Sequence, residues 1–311
     1  MNIRFWGVRG SQPAPLTPQQ VQSKIIAAVQ RIRPSDLESA ETRAKFLASL
    51  PPWIFGTTGG NTPCVELSSG QTEIILDAGT GLRLLGKSPV FRTARRFSIL
   101  FSHFHWDHIQ GIPFFDPLYN PSSEAEIYSH SADTEKFLTE QMSQPYFPVP
   151  FGSFTKKIKF ITLNEGHSFF IDGIKVTSCR MFHPGGSYSY SFEENGRKFV
   201  YATDVELKAD SFTPSPERTA VFGGADCIVL DSQYTVEESY GKENWGHSAF
   251  CYAVDFAVHW NIKKLYLFHH EPVYDDKKLN SILQAARWYA RYINHSDIEI
   301  HLAREEDEII L

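Results

Sequence analysis

The apolar run Phe97–Phe101 breaks directly into Ser102-His103-Phe104-His105-Trp106-Asp107-His108, and no other feature of the 311-residue chain restricts its fold as tightly. Three histidines and an aspartate within six positions bear chemistry only if the preceding strand delivers them to a cleft. The same arrangement recurs along the chain. Lys175–Met181 runs into His183, Lys198–Ala202 into Thr203-Asp204, Cys227–Leu230 into Asp231, and Lys264–Phe268 into His269-His270. Strands packed in one core can bring such ends to a common edge, where turns present side chains to a cavity.

The residue types suit a pair of divalent cations. Neutral imidazoles bind borderline ions such as zinc, and a carboxylate offsets their charge. On this reading His103 and His105 face one ion and Asp107 and His108 the other. His183 adds a third nitrogen to the first, His269 adds one to the second, and Asp204 bridges them, roughly 3.5–4 Å apart as in two-metal sites generally. Zinc is the first expectation; manganese and iron accept the same nitrogen and oxygen ligands. His270 is assigned no role.

Short β-branched runs mark further strands at Asn2–Trp6, Cys64–Leu67, Thr72–Leu76, Glu126–Ser129, Glu299–Leu302 and Glu308–Leu311. Helical spacing covers Ser248–Trp260, with Ser248 as N-cap, and Asp276–Asn294, capped by Asp275 or Asp276. Strands alternating with helices imply an α/β chain, read as one domain over residues 1–311. Residues 14–55 stand apart as an insertion. Thr17-Pro18-Gln19-Gln20 has the pattern of a capping box, and Val21, Ile25, Ala28, Val29 and Ile32 follow at helical spacing. Ser35-Asp36-Leu37-Glu38 repeats the capping pattern ahead of a second helix, with Leu37, Ala40, Ala44 and Leu47 on one face, and Pro51-Pro52 stops it. The expected product is a helical hairpin whose apolar stripe packs on the body as a lid or on a second subunit.

Composition narrows the partners. With 30 Lys+Arg against 36 Asp+Glu, the net charge of −6 gives no basic field to attract a long nucleic acid non-specifically. No apolar stretch is long enough to span a bilayer and no basic-then-apolar leader opens the chain, so a cytoplasmic protein is expected. Cys64, Cys179, Cys227 and Cys251 are far apart, without a C-x-x-C pair, and read as buried thiols.

FWGVRGS (Phe5–Ser11), TGGNTPCVEL (Thr58–Leu67), ILDAGTGLR (Ile75–Arg83), SHFHWDHIQG (Ser102–Gly111), YATD (Tyr201–Asp204), LDSQYT (Leu230–Thr235), WGHSAF (Trp245–Phe250) and LYLFHHEP (Leu265–Pro272) together resemble metallo-β-lactamase-fold phosphodiesterases. The resemblance runs in order over nearly the whole chain outside the hairpin and is strongest to ribonuclease Z and the smaller cyclic nucleotide phosphodiesterases. It implies a four-layered αββα sandwich with metals at one sheet edge. It implies the same ligand set: His103, His105 and His183 on one ion, Asp107, His108 and His269 on the other, with Asp204 between. It also implies that His247, in Gly246-His247-Ser248, contacts the scissile phosphate and that Asp231 orients it. A carboxylate on one ring nitrogen favours imidazolium, able to donate to a leaving oxygen. Asp107 is the candidate to accept the nucleophile's proton, while Asp77 braces the metal loop through hydrogen bonds rather than binding metal.

Two departures from ribonuclease Z lower the tRNA-processing reading: Trp106 stands where a small residue is usual, and no glycine- and lysine-rich arm is visible. The aromatics Phe114, Phe115, Tyr119, Tyr146, Phe147 and Phe151 can line a base-stacking pocket or simply pack. The expected activity is hydrolysis of 3′,5′-cyclic nucleotides to nucleoside monophosphates, on a small-molecule phosphodiester and with a homodimer as the family expectation. The alternatives are a ribonuclease Z-like RNA 3′-processing nuclease and an acyl hydrolase acting on lactams, lactones or thioesters. A metal-dependent sensor on the same fold is the non-enzyme alternative.

Overall fold

A computed structural model describes residues 1–91, 96–153, 157–294 and 297–311. Fourteen strands are present among them. In chain order they are β1 (Asn2–Gly7), β2 (Cys64–Ser69), β3 (Thr72–Leu76), β4 (Arg96–Leu100), β5 (Glu124–Ser129), β6 (Ile158–Thr162) and β7 (Phe169–Ile171). There follow β8 (Ile174–Met181), β9 (Ser187–Glu194), β10 (Arg197–Ala202), β11 (Cys227–Asp231), β12 (Lys264–Phe268), β13 (Glu299–Leu302) and β14 (Glu308–Ile310). They form two seven-stranded sheets, ordered β14-β1-β2-β3-β4-β5-β6 and β13-β12-β11-β10-β9-β8-β7.

The sheets meet through a layer that includes Phe5, Leu67, Ile74, Phe192, Phe199 and Phe268, each 0% exposed. Burying a side chain of this size contributes roughly 1.5–3 kcal/mol, so this layer dominates the cohesion of the pair. The outer face of the second sheet is covered by the helices Phe250–His259 and Asp276–Tyr292, through Val254, Phe256, Leu279 and Leu283. The outer face of the first is covered by short helices and turns carrying Leu82, Leu85, Ile112 and Leu138. The result is the αββα sandwich expected.

Strand direction fixes where the reactive residues emerge. β10, β11 and β12 are neighbours and parallel, with Ala202 beside Leu230 and Asp231 beside Phe268. The residues just after them, Asp204 and His269, therefore leave the sheet with Asp231 at one edge. β8 is antiparallel to β9, which is antiparallel to β10, so β8 also points that way and delivers His183. In the other sheet β3 and β4 are parallel, with Leu76 beside Leu100, which sets Asp77 next to the loop that opens at Phe101.

Three expectations are corrected. Ser248 does not cap its helix: Ala249 is the N-cap residue, and the Ser248 hydroxyl instead donates to the carbonyl of Val205 and accepts from the amide of Leu207. The second hairpin helix spans Ala40–Ser49 and is capped by Ser39, because Pro34–Leu37 closes as a separate 3₁₀ turn. β6, β7 and β9 fall where no strand was expected; β9, Ser187–Glu194, alternates serine with aromatic residues and gains its order from β8 and β10.

The first hairpin helix, Pro18–Val29, has the capping box at Thr17 and Gln20. Neither hairpin helix buries a residue, and Val21, Ile25, Ile26 and Val29 are 41–63% exposed. The stripe thus finds no cover among the described residues. Its anchor is polar: Lys24 Nζ lies 2.7 Å from Asp276 Oδ2 and donates to the carbonyls of Trp53 and Gly56. The four cysteines are buried and free, and no helix among the described residues is long and apolar enough to cross a membrane.

Candidate metal centre

The loop after β4 and the ends of β8, β10 and β12 bring seven side chains into two groups that share one residue. His103, His105, His183 and Asp204 offer ligand atoms all within 4.8 Å of one another, as do Asp107, His108, Asp204 and His269. In the first group, His183 Nε2 is 3.1 Å from His105 Nδ1, and Asp204 Oδ1 is 3.7 Å from His103 Nε2 and 3.8 Å from His183 Nε2. In the second, Asp204 Oδ2 is 3.0 Å from His108 Nε2 and 3.2 Å from His269 Nε2. Asp107 Oδ2 is 3.3 Å from each of those nitrogens. The two oxygens of Asp204 thus face different groups.

The side chains fit a cation. His103 Nε2 is buried without a hydrogen-bond partner, although such atoms are seldom left unsatisfied. Burial, aided by the His108 charge, pushes His103 well below the usual histidine range. His105 and His183 are also lowered, chiefly by burial. His108 goes the other way: burial opposes its charge, but Asp204, Asp107 and Asp77 together raise it well above the usual value. Burial likewise opposes the charge on Asp107 and Asp204, yet the histidines hold both carboxyls below the carboxylate range. A cavity that keeps two carboxylates ionised and most of its imidazoles neutral has the charge balance that divalent cations require.

The supporting residues orient this set. Asp77 Oδ2 lies 2.8 Å from His108 Nδ1 and accepts hydrogen bonds from the hydroxyls of Ser102 and Tyr201, while its Oδ1 accepts from the Ser102 amide. Thr203 donates to Asp204 Oδ2, the Ser11 amide to Asp107 Oδ2, and His183 Nδ1 faces the Gly246 carbonyl at 3.0 Å. Asp77, Asp204 and His269 all have positive φ, 57°, 53° and 59°. Non-glycine residues rarely hold that conformation without a constraint that outweighs its cost, and such outliers concentrate at functional sites. Glycine is needed at Gly246, where φ is +92° and a Cβ would sit 2.1 Å from His183 Nδ1, and at Gly10, where it would sit 2.5 Å from His269 Nδ1.

Beside the second group stands a further pair. His247 Nδ1 is 2.7 Å from Asp231 Oδ2, and the His247 ring stacks on His269 with centroids 4.8 Å apart. Burial would lower His247, but Asp231, then Asp204 and Asp107, raise it to about 9. Asp231 Oδ1 accepts from the amides of Ser248 and Gln233, which fixes the carboxylate in turn. His270 is a buried histidine satisfied by the Ala303 carbonyl.

Several contributors had no role assigned from sequence. Ser102, Tyr201 and Thr203 flank expected ligands, and only three-dimensional proximity identifies their partners. Glu206 is more remote: it accepts from the amides of Asn244 and Gly246 and so holds the loop that carries His247. Of the aromatics named above, Phe115 and Phe151 are buried in the outer core, while Phe114, Tyr119 and Tyr146 are exposed.

Residues 72–270 match the model of the β-lactamase superfamily domain. A ribonuclease Z of Picrophilus torridus is 22% identical over 298 residues, spanning 81% of this chain and 93% of the relative. Among solved structures, the metallo-β-lactamase fold protein YhfI of Bacillus subtilis superposes with a TM-score of 0.65 at 16% identity, covering 99% of this chain and 98% of its own. The short form of human tRNase Z gives 0.62 at 19% identity, covering 100% and 99%. The family match takes in every strand from β3 to β12 and all seven grouped side chains, so the chain belongs to the β-lactamase superfamily and is a metal-dependent hydrolase of the metallo-β-lactamase fold.

Proposed function

We propose that this hydrolase is a dinuclear phosphodiesterase that opens 3′,5′-cyclic nucleotides to nucleoside monophosphates. The observation that carries the reading is the His247–Asp231 pair beside two ligand groups sharing Asp204. Hydrolysis of a phosphodiester needs charge stabilisation on one side and a proton donor to the leaving oxygen on the other. Two divalent ions held by His103, His105, His183, Asp204, Asp107, His108 and His269 would supply positive charge to the phosphoryl oxygens and lower the pKa of a water. Zinc fits the nitrogen-rich donor set, and iron and manganese follow it. Asp107 takes the proton of the attacking water. His247, charged and aimed by Asp231, gives its proton to the departing ribose oxygen. The His247–Asp231 pair beside two groups sharing Asp204 favours a phosphodiester over the acyl-hydrolase reading.

The net charge of −6 favours a small substrate over folded RNA. A ribonuclease Z-like nuclease is the second reading, supported by the relative that aligns over 81% of the chain. We further propose that the protein acts in the cytoplasm as a homodimer, with the uncovered hairpin stripe of Val21, Ile25, Ile26 and Val29 as the contact.

The test is turnover by zinc-loaded protein, with metal content measured, on cyclic mononucleotides, a tRNA precursor, bis(p-nitrophenyl) phosphate and nitrocefin. Cyclic mononucleotides should be the best substrates. Preferred cleavage of the precursor would install the nuclease reading, and nitrocefin turnover without diester turnover would overturn both.

A further inference from the structure

A cavity of about 400 Å³ opens directly beside the first ligand group, with His103 and His105 in its wall. Its size falls within the roughly 300–1,000 Å³ range of small-molecule sites. One side is aromatic. The Phe104 ring lies 5.1 Å from Phe137, and His130 stacks on Tyr188 with centroids 3.7 Å apart and planes 10° apart. Burial lowers His130 to about 4, so this ring is neutral and its Nε2 is engaged with the Ser178 hydroxyl at 2.9 Å.

The remaining wall carries a cation. None of the side chains lining the cavity is a carboxylate, whereas the exposed Arg180 is there. Its guanidinium lies against Gly186, whose φ is +87°: a Cβ at that position would sit 3.4, 3.5 and 3.8 Å from Nη2, Nε and Cζ. Both nitrogens lie nearer than the carbon between them, so the guanidinium turns its Nε–Nη2 edge to the glycine. The backbone turn His183-Pro184-Gly185-Gly186 therefore joins a metal-facing histidine to the glycine against which Arg180 lies within three residues.

We infer that this cavity seats the base of a nucleotide whose phosphate lies at the metal centre, and that Arg180 makes the site favour guanine over adenine. The inference rests on the phosphodiesterase reading for the position of the phosphate. Rings of aromatic side chains suit the face of any base. Guanidinium is donor-only, with five N–H groups in a fixed fork. Guanine presents two acceptors, O6 and N7, to such a fork, whereas adenine sets an amino donor against it. No carboxylate in the wall is available to accept from that amino group. Arg180 is thus a specificity-determining residue and takes no part in the chemical step.

Two measurements on the zinc-loaded protein test this: calorimetric binding of guanosine and adenosine 5′-monophosphate, and KM for the two 3′,5′-cyclic nucleotides. The wild type should bind the guanine ligand at least tenfold more tightly. Arg180→Met should bring the two within about threefold by weakening guanine selectively, and Arg180→Lys should fall between. Phe137→Ala should weaken both bases alike. Equal affinity for the two bases in the wild type would overturn the inference, as would an Arg180→Met variant that weakens both equally. Selective monophosphate binding without cyclic nucleotide turnover would uphold the base seat and refute the proposed activity. Turnover without discrimination would do the reverse.

Discussion

Oδ2 of Asp231 lies 2.7 Å from Nδ1 of His247 and 3.7 Å from Nδ1 of His269. One buried carboxylate thus faces both the imidazole assigned to proton donation and an imidazole assigned to metal binding. Its position ties the two halves of the proposed chemistry to a single strand end.

His247 belongs to neither of the two ligand groups that share Asp204, although its ring stacks on His269, so removing it should separate donation from metal binding. His247→Ala should keep two metal ions per chain while kcat on a cyclic nucleotide falls about 10²–10⁴-fold, the usual worth of general acid catalysis. Metal analysis alongside steady-state kinetics checks both halves. A fully active, metal-replete variant would remove the donor role.

Asp77 should matter through His108. Asp77→Asn keeps the shape but exchanges a carboxylate for an amide against His108 Nδ1, and such partners of metal ligands are commonly worth 10–100-fold in metal affinity or activity. A competitive chelator titration should show zinc held that much more weakly. Asp204→Ala should be more severe, with both ions lost, because each of its oxygens faces a different ligand group.

The Lys24–Asp276 pair anchors the hairpin from both sides, with side-chain exposures of 16% and 2%. Lys24→Met leaves a buried carboxylate without its cation, which typically costs about 3 kcal/mol. Burial opposes the charge on Asp276, but Lys24 and the Thr58 amide hold its pKa below the usual carboxylate value. Its stabilising effect is therefore present above about pH 4, the unfolded value, and is lost as pH falls through the lower folded value. Limited proteolysis within residues 14–55 should accelerate in Lys24→Met at neutral pH, and in the wild type only in that acidic range.

His130 gives a second pH signature. Because burial lowers its folded pKa to about 4, the unfolded chain binds more protons between that value and about 6.5. Stability from this group is complete above about pH 6.5 and is lost as pH falls toward 4. Thermal midpoints of metal-free protein, measured across that window, should decline less steeply in His130→Asn than in the wild type.

The hairpin stripe should respond to charge. Ile25→Glu with Val29→Glu places two carboxylates among residues that the monomer leaves 59% and 63% exposed, so the fold should tolerate them. Sedimentation equilibrium should report a dimer for the wild type and a monomer for the double variant. A wild-type monomer would refute the contact.

The sequence by itself determined which residues lie at strand ends, because β-branched runs stop abruptly where a charged or imidazole side chain follows. His103, His105, Asp107 and His108 could be grouped before any fold was known, since a loop of six residues keeps its members close whatever surrounds it. The capping box at Thr17 was legible for the same reason: its hydrogen bonds span three residues. Ser35 and Ser248 looked like caps by that local rule, but Pro34 closed a separate turn in one case, and Val205 and Leu207 claimed the hydroxyl in the other. The order of β9 likewise came from its two neighbours rather than from its own serine-rich sequence. Only the tertiary structure decided that Asp204 turns one oxygen to each ligand group, that Tyr201 and Ser102 converge on Asp77, and that Arg180 turns an edge of its guanidinium to Gly186. Each of these joins residues far apart in sequence or fixes the direction of a side chain. Chain order carries neither, because both follow from which strands pair and in what register.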